Sequence, residues 1–576
     1  MIKKQSILWV WLFLSGVYGL MAQPVLDVRT DKPLAPISSS MWGIFFEDIN
    51  FAADGGLYAE LVKNRSFEFD QPMMGWKAEG VNGGKGTVLI QNQSNVSPNN
   101  PRYATVNVNA SNGTFILRNE GFRGMGIKEG AQYNFSVIGR QTEGSVHLSI
   151  HLVGSNGNEI GNANLSPSSS SFQKLSASLT ATATDAKAKL ELHFTGTGKL
   201  DIDMISLFPA DTWKGRPGGL RKDLVQMLEG LKPGFIRFPG GCIVEGKDLQ
   251  NRYQWKKTVG PAEERKLIMN RWNVEFKAPR NAPDYFQSYG LGFYEYFLLS
   301  DDLGAEPLPI LNCGMACQYN TGEVVPIGQL NPYIQDALDL IDFANAPTTN
   351  EWGKLRAEMG HPQPFNLKYL GIGNEQWGPQ YFERYKEFVS VLKGKHPEII
   401  IVTTAGPYSD GNDFNYAWNE FNKLNAELVD EHYYKSPEWF LKNANRYDNY
   451  DRKGPKVFAG EYAAHSKDST APESRNTWIS ALSEAAFMTG LERNADVVRL
   501  SSYAPLMAHV DAWQWRPDLI WFDNLNVAAT PNYYVQKLFS NNKGTHVLSI
   551  TGAGKPLIGQ DSVYASAVVD SINKQV

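Results

Sequence analysis

The chain has 576 residues, 42% of them apolar and 12% aromatic, with 15 Trp and 25 Tyr. Such a length and apolar content exclude a disordered chain and a single small domain, and predict two or three domains with large cores. The net charge of -5 comes from 55 basic and 60 acidic residues that are interspersed rather than blocked, so no nucleic acid and no anionic membrane is expected as a partner; a neutral or small one is.

At the N-terminus, Lys3 and Lys4 precede the apolar run Ile7 to Leu20, and small Ala22 precedes Gln23. Residues 1–22 read as a signal peptide, which predicts a secreted or periplasmic protein. The run is shorter than the ~20 residues a membrane span needs, so no span is expected after cleavage. Three cysteines, Cys242, Cys313 and Cys317, argue against a disulfide framework, and their spacing offers no metal-ligand set.

From Pro217 to about Phe539 helical patterns alternate with short apolar runs, as in repeated βα units around a parallel sheet. Seven strands are predicted at Gly234–Phe238, Pro307–Asn312, Leu367–Gly373, Ile399–Thr403, Leu428–His432, Lys456–Ala459 and Val497–Ser501. Amphipathic stretches such as Leu220–Leu228, Phe293–Asp302, Tyr333–Asn345, Tyr381–Leu392 and Ser480–Arg493 separate them. An eighth strand at Met41–Phe46, followed by a helical Leu57–Asn64, closes an α/β fold of the (β/α)8 TIM-barrel type if the segment between is an insertion. A doubly wound sheet is the competing fold. The barrel is preferred because polar residues recur after the strand C-termini, where barrel chemistry occurs: Glu47, Pro239–Cys242, Asn374–Glu375, Tyr433–Tyr434 and Glu461.

The insertion has period-two runs, Tyr133–Ile138, Val146–Leu152 and Lys189–Phe194, between Gly, Asn and Ser clusters. It reads as a β-sandwich, either a carbohydrate-binding module or a spacer, with Trp76, Phe122 and Tyr133 serving as platform or core. Strand-like runs follow the barrel at Thr545–Thr551 and Ser562–Val569. The predicted division is 23–40 as an N-terminal strand segment, 41–70 as the first barrel unit, 71–210 as the insertion, 211–540 as the rest of the barrel and 541–576 as a truncated β domain.

Cleaving a glycosidic bond usually takes two carboxyl groups across one sugar, one to protonate the departing oxygen and one to attack or to activate water. The apolar strand within Lys368–Gln376 ends abruptly in Asn374 and Glu375, and the one within Lys456–Tyr462 ends in Gly460 and Glu461, where glycine would let a ligand approach closely. One strand-end Glu is more often an ion-pair partner than a catalyst. Two such ends, three strands apart, favour catalysis.

The ordered set Trp42-Gly-Ile-Phe-Phe-Glu-Asp-Ile-Asn50, Ile236-Arg-Phe-Pro-Gly-Gly-Cys242, Gly371-Ile-Gly-Asn-Glu-Gln-Trp377 and Glu431-His-Tyr-Tyr434 resembles the α-L-arabinofuranosidases of glycoside hydrolase family 51. The resemblance covers about Pro24 to Phe539. It implies retaining release of non-reducing-end α-L-arabinofuranose from arabinose-containing polysaccharide or oligosaccharide, with no metal or organic cofactor, and a possible homo-oligomer. It also implies a C-terminal β-sandwich that takes in an N-terminal strand, here Val25–Arg29. Residue by residue, it makes Glu375 the acid/base and Glu461 the nucleophile, and places Glu47 and Asn374 on the sugar. Arg237 would keep the nucleophile ionised, and Tyr434, with Tyr433 as a competing alignment, would set a hydroxyl beside it. On this reading Arg237 lowers the pKa of Glu461, and a less solvated Glu375 stays protonated. Cys242 stands where many relatives have Asn, which leaves that sugar contact open. His432, Trp513, Trp515, Trp521, Asp523 and Asn524 are weaker candidates. Other retaining glycosidases with the same barrel, a β-xylosidase or an endo-glucanase, and a non-catalytic carbohydrate-binding protein are the alternative readings.

Overall fold

The structure is a computed structural model that describes residues 25–93, 97–274, 284–466 and 476–576. Eight parallel strands close a barrel: Trp42–Phe45, Phe235–Phe238, Glu306–Leu311, Tyr369–Ile372, Ile400–Thr404, Leu428–Lys435, Lys456–Ala464 and Val498–Tyr503. Closure comes from the first strand, which pairs with the second through Ile236 and Ile44 and with the eighth through Ser501 and Trp42. Such strands are covered on both faces, which is why they read as short, continuously apolar runs. The doubly wound alternative is excluded.

Period two sorts the residues within each strand. In the second strand, Phe238 points outward and stacks on Tyr296 of the helix Phe293–Leu303 at 4.9 Å, while Arg237 is fully buried with Phe45 and Phe458 against its guanidinium. Four other predicted helices form at Lys222–Gly230, Asn331–Asn345, Pro379–Lys395 and Trp478–Arg493.

Three expectations are corrected. Leu57–Asn64 is not helical, because its backbone is committed elsewhere: the Ala59 and Leu61 amides donate to Gly219 and Leu207. The helix that returns from the first strand is Lys222–Gly230, beyond the insertion. The sixth and seventh strands also run past His432 and Ala459, to Lys435 and Ala464, so Tyr434 and Glu461 lie on strands rather than after them.

Between the first strand and its helix lies a β domain of eight strands, Trp76 to Pro209. Three long strands, Arg102–Asn119, Gln132–Val153 and Asp185–Pro209, run through it, and the shorter strands pair with either half of the long ones. The register breaks around Gly196 and Lys199. One cluster containing Val106, Leu117, Phe135, Ile150, Leu192 and Ile202 spans both halves, so the sheet folds onto itself as a sandwich. Trp76, Phe122 and Tyr133 are buried and are not a surface platform.

Leu26–Arg29 pairs antiparallel with His546–Gly552, and Ala567–Val569 flanks the other part of that strand. The last strand is shorter than predicted: Ser562 ends a helical turn, and Tyr564 makes only an isolated bridge to Ile558 before the strand begins at Ala567. The apolar run Ile7 to Leu20 lies outside the described residues. Among the described residues, no helix is long and apolar enough to cross a membrane.

Candidate active site

A cavity of about 540 Å³ opens at the C-terminal end of the barrel, lined by Glu47, Ile49, Cys242, Arg271, Trp272, Tyr319, Glu375, Pro407, Tyr434, Glu461, Pro505, Gln514 and Trp515. Side chains from all eight barrel units line it.

Alternation along the sixth strand carries three of the central groups. Asp430, His432 and Tyr434 share the inward face, whereas Glu431 and Tyr433 face outward. Glu431 there accepts hydrogen bonds from Trp418, Tyr447 and Tyr450, and Tyr433 bonds Glu431 and Tyr447. Tyr434, not Tyr433, therefore reaches the cavity, and its hydroxyl donates to Glu461 Oε2 at 2.7 Å. A bulge on the neighbouring strand skips Gly460, pairing Ala459 with Glu431 and Glu461 with His432. A Cβ at Gly460 would lie 1.9 Å from Asp430 Oδ1 and 2.7 Å from Arg237 Nη1. The glycine makes room for these protein groups, not for a ligand, and the bulge aims Glu461 into the cavity.

Arg237 ties the site together. It donates to Asp430 Oδ2 at 2.7 Å, to Asn374 Oδ1 at 2.7 Å and to Glu461 Oε1 at 2.8 Å. His432 lies between the carboxyl groups, with Nδ1 2.8 Å from Glu375 Oε1 and Nε2 3.1 Å from Asp430 Oδ2 and 3.6 Å from Glu461 Oε1. Glu47 accepts from the Ile243 amide at 3.0 Å and from Trp272 Nε1 at 3.2 Å. The Cys242 thiol faces Glu375 Oε2 at 3.4 Å. One oxygen of Glu375 and one of Glu461 lie within 4.8 Å of each other, close to the ~5–5.5 Å that separates the carboxyl groups of retaining glycosidases and short of the ~6.5–9.5 Å of inverting ones.

The expected division of protonation is corrected. Burial raises the pKa of Glu375, but the hydrogen bond and charge of His432, aided by Cys242 and Arg237, outweigh it and leave the carboxyl below its ordinary value. Burial pushes Glu461 above its ordinary value, and His432 and Arg237 offset this only in part. His432 is lowered by burial yet held well above 6.5, first by the charges of Glu461 and Asp430 and then by its hydrogen bonds. An imidazolium donates from both ring nitrogens, which matches carboxylates at both. The proton affinity expected of Glu375 is thus shifted towards His432. Glu47 is raised to about 8, by burial and by the charge of Glu461.

Among the described residues two carboxyl-containing clusters have metal-like spacing, Glu375–His432–Glu461 and Cys242–Glu245–Cys317, which the sequence spacing did not disclose. Arg237 donates into the first, and Arg271 contacts Cys317 at 3.5 Å in the second, so each already has a cation. Cys313 and Cys317 are both buried.

Other candidates fall elsewhere. His432 is buried beneath the rim, and Trp515 lines the cavity, but Trp521 donates to Asn476 and Trp513 packs under Arg516. Asp523 caps its own turn, and Asn524 bonds the backbone of the inserted domain at Arg123, Gly124 and Ala186. Sequence reading missed Asp430, Glu245, Arg271, Trp272 and Gln514. Alternation with His432 and Tyr434 would have found Asp430 had the sixth strand been carried to Lys435; the others sit in loops or a short helix without periodicity.

A closed barrel with two carboxyl groups this close at its C-terminal mouth is the arrangement that glycoside hydrolases of the two-carboxylate type use. Residues 227–452 match the family model of the α-L-arabinofuranosidase 1 domain and residues 460–564 that of the α-L-arabinofuranosidase C-terminal domain. The chain is 43% identical over 534 residues to an extracellular exo-α-L-arabinofuranosidase of Streptomyces chartreusis, across 89% of this chain and 61% of that one. It therefore spans about three-fifths of that relative's length. It is 36% identical to α-L-arabinofuranosidase 1 of Arabidopsis thaliana, across 92% of this chain and 75% of that one. A solved arabinose-bound family 51 α-L-arabinofuranosidase superposes with a TM-score of 0.80 at 32% identity, covering 91% of this chain and 84% of its own. The chain belongs to the α-L-arabinofuranosidases of glycoside hydrolase family 51.

Proposed function

We propose that the protein releases terminal α-L-arabinofuranose with retention, Glu461 acting as nucleophile and Glu375 as acid/base. The observation that carries this is the pair of carboxyl oxygens within 4.8 Å, with His432 between them and Arg237 and Tyr434 holding Glu461. In the first step a Glu461 oxygen attacks the anomeric carbon as the glycosidic bond breaks, and Glu375 gives its proton to the departing oxygen. That proton is stored on the Glu375–His432 pair, whose titration belongs to both groups. In the second step Glu375 takes a proton from water, and the oxygen of that water displaces Glu461 from the anomeric carbon. Glu47, which lines the cavity, and Asn374, buried behind it, hold sugar hydroxyls. At a pKa of about 8, Glu47 is a neutral carboxyl near neutrality and can donate as well as accept.

The natural substrates are arabinose-containing plant polysaccharides or oligosaccharides. The N-terminal pattern Lys3, Lys4 and Ile7 to Leu20 supports export, and the Streptomyces relative is named as extracellular. The test is hydrolysis of para-nitrophenyl α-L-arabinofuranoside by the wild type, Glu375→Ala and Glu461→Ala. Activity in the wild type, with losses of at least ~100-fold in both variants, is expected; an inert wild type overturns the assignment.

A further inference from the structure

We propose that Glu245 is a positioning residue for the acid/base, a buried carboxyl that fixes the Asn374–Glu375 corner from behind and backs the thiol facing Glu375. The proposal rests on the reading of Glu375 as acid/base.

Glu245 ends the short helix Cys242–Glu245 that follows the second strand, and it is 2% exposed. Its Oε1 accepts from Asn374 Nδ2 at 2.7 Å and from the Glu375 amide at 3.2 Å. One oxygen thereby holds both residues of the corner after the fourth strand. Asn374 is clamped, with Arg237 on its carbonyl oxygen and Glu245 on its amide nitrogen, so only one orientation of the amide satisfies both partners. The Asn374 amide itself donates to Gln376 Oε1 at 2.6 Å. Without Glu245, the Glu375 amide and Asn374 Nδ2 would lose their acceptor inside the protein, a cost that favours local rearrangement.

The same carboxyl reaches Glu375 by a second route. Ligand atoms of Glu245, Cys317 and Cys242 lie within 4.8 Å of one another. Cys242 then faces Glu375 Oε2. Burial first, and then the charges of Cys317 and Glu375, hold Glu245 well above its ordinary value. The charged or titratable groups around this chain are Arg271 at Cys317 and His432, Arg237 and Glu461 around Glu375. A second anion beside Glu375 would oppose its ionisation, and the raised proton affinity of Glu245 works against that second charge.

The test compares Glu245→Gln, Glu245→Leu and Glu245→Asp on two substrates. One is an arabino-oligosaccharide, whose sugar leaving group needs a proton; the other is 2,4-dinitrophenyl α-L-arabinofuranoside, whose leaving group does not. Gln keeps an acceptor oxygen without charge and should hold kcat within about three-fold, with an unchanged pH profile. Leu should lower kcat/KM on the oligosaccharide by ~100-fold and shift its alkaline limb, while kcat/KM on the dinitrophenyl substrate, which reports only the first step, falls less than ten-fold. Asp draws the acceptor back by one methylene and should show the same split more weakly, which keeps the test alive if Leu does not fold. Equal losses on both substrates, an unmoved pH profile in Leu and Asp, or a Gln variant as impaired as Leu would overturn the proposal. A wild type inert towards both substrates would overturn the reading of Glu375, and this inference with it.

Discussion

His432 Nδ1 lies 2.8 Å from Glu375 Oε1, while Nε2 of the same ring meets Asp430 and approaches Glu461. The two carboxyl groups thus share one buried imidazole, and the charges of Glu461 and Asp430 raise its proton affinity.

Replacing His432 by Asn removes this proton store. The expected result is a ~10 to 100-fold loss of kcat above neutral pH on sugar leaving groups, with the alkaline limb of kcat/KM moving to lower pH. The limb moves down because the His432 pKa is raised, and the last proton of the pair is therefore held to higher pH than Glu375 alone would hold it. A pH–rate profile of both proteins checks it, and coincident alkaline limbs would rule the idea out.

Tyr434→Phe deletes one donor to Glu461 Oε2 and little else. A hydrogen bond to a charged group contributes about 1.5–3 kcal/mol, so kcat should fall by ~10 to 100-fold. Steady-state kinetics with para-nitrophenyl α-L-arabinofuranoside reads this, and the melting temperature should stay close to that of the wild type.

Gly460→Ala sets a methyl group against Asp430 Oδ1 and Arg237 Nη1. Overpacking of this kind costs about 1–3 kcal/mol. Because the displaced groups hold Glu461, activity should disappear while the protein still folds at a lower melting temperature. Calorimetry together with an activity assay separates the two effects, and an active variant would contradict the account of the bulge.

Stability should fall as pH rises from 5 to 8. Glu484, fully buried beneath the seventh strand, accepts from the Ala464 amide at 2.8 Å and from Asn532 Nδ2 at 2.7 Å, and burial raises it to about 8. Glu47 is raised to about 8 as well. For both, the folded state binds the proton more tightly than the unfolded one. Their contribution is complete below the ordinary value of 4.5 and is lost as pH rises through about 8. Each can add a slope of up to about 1.4 kcal/mol per pH unit within that window. Glu484→Gln should flatten the decline of melting temperature with pH; an unchanged slope would remove Glu484 as its source.

Much of this molecule was legible in one dimension. Barrel strands are short apolar runs bounded by polar residues, so their places emerged within a few residues, and Asn374–Glu375 and Glu461 stood out as polar ends of such runs. Leu57–Asn64 misled because an apolar pattern cannot report that its amides are bonded to Gly219 and Leu207 far along the chain.

Sequence by itself determined the alternation that builds the barrel, the insertion within its first unit, and the two carboxyl groups at its mouth. Tertiary structure alone decided that Gly460 yields to Asp430, that Tyr434 rather than Tyr433 meets Glu461, that Glu245 stands behind Glu375, and that His432 is set between the two carboxyl groups. The reason is physical. Strand periodicity is a local property of neighbouring residues, whereas close packing and proton affinity depend on burial and on charges brought together from distant parts of the chain.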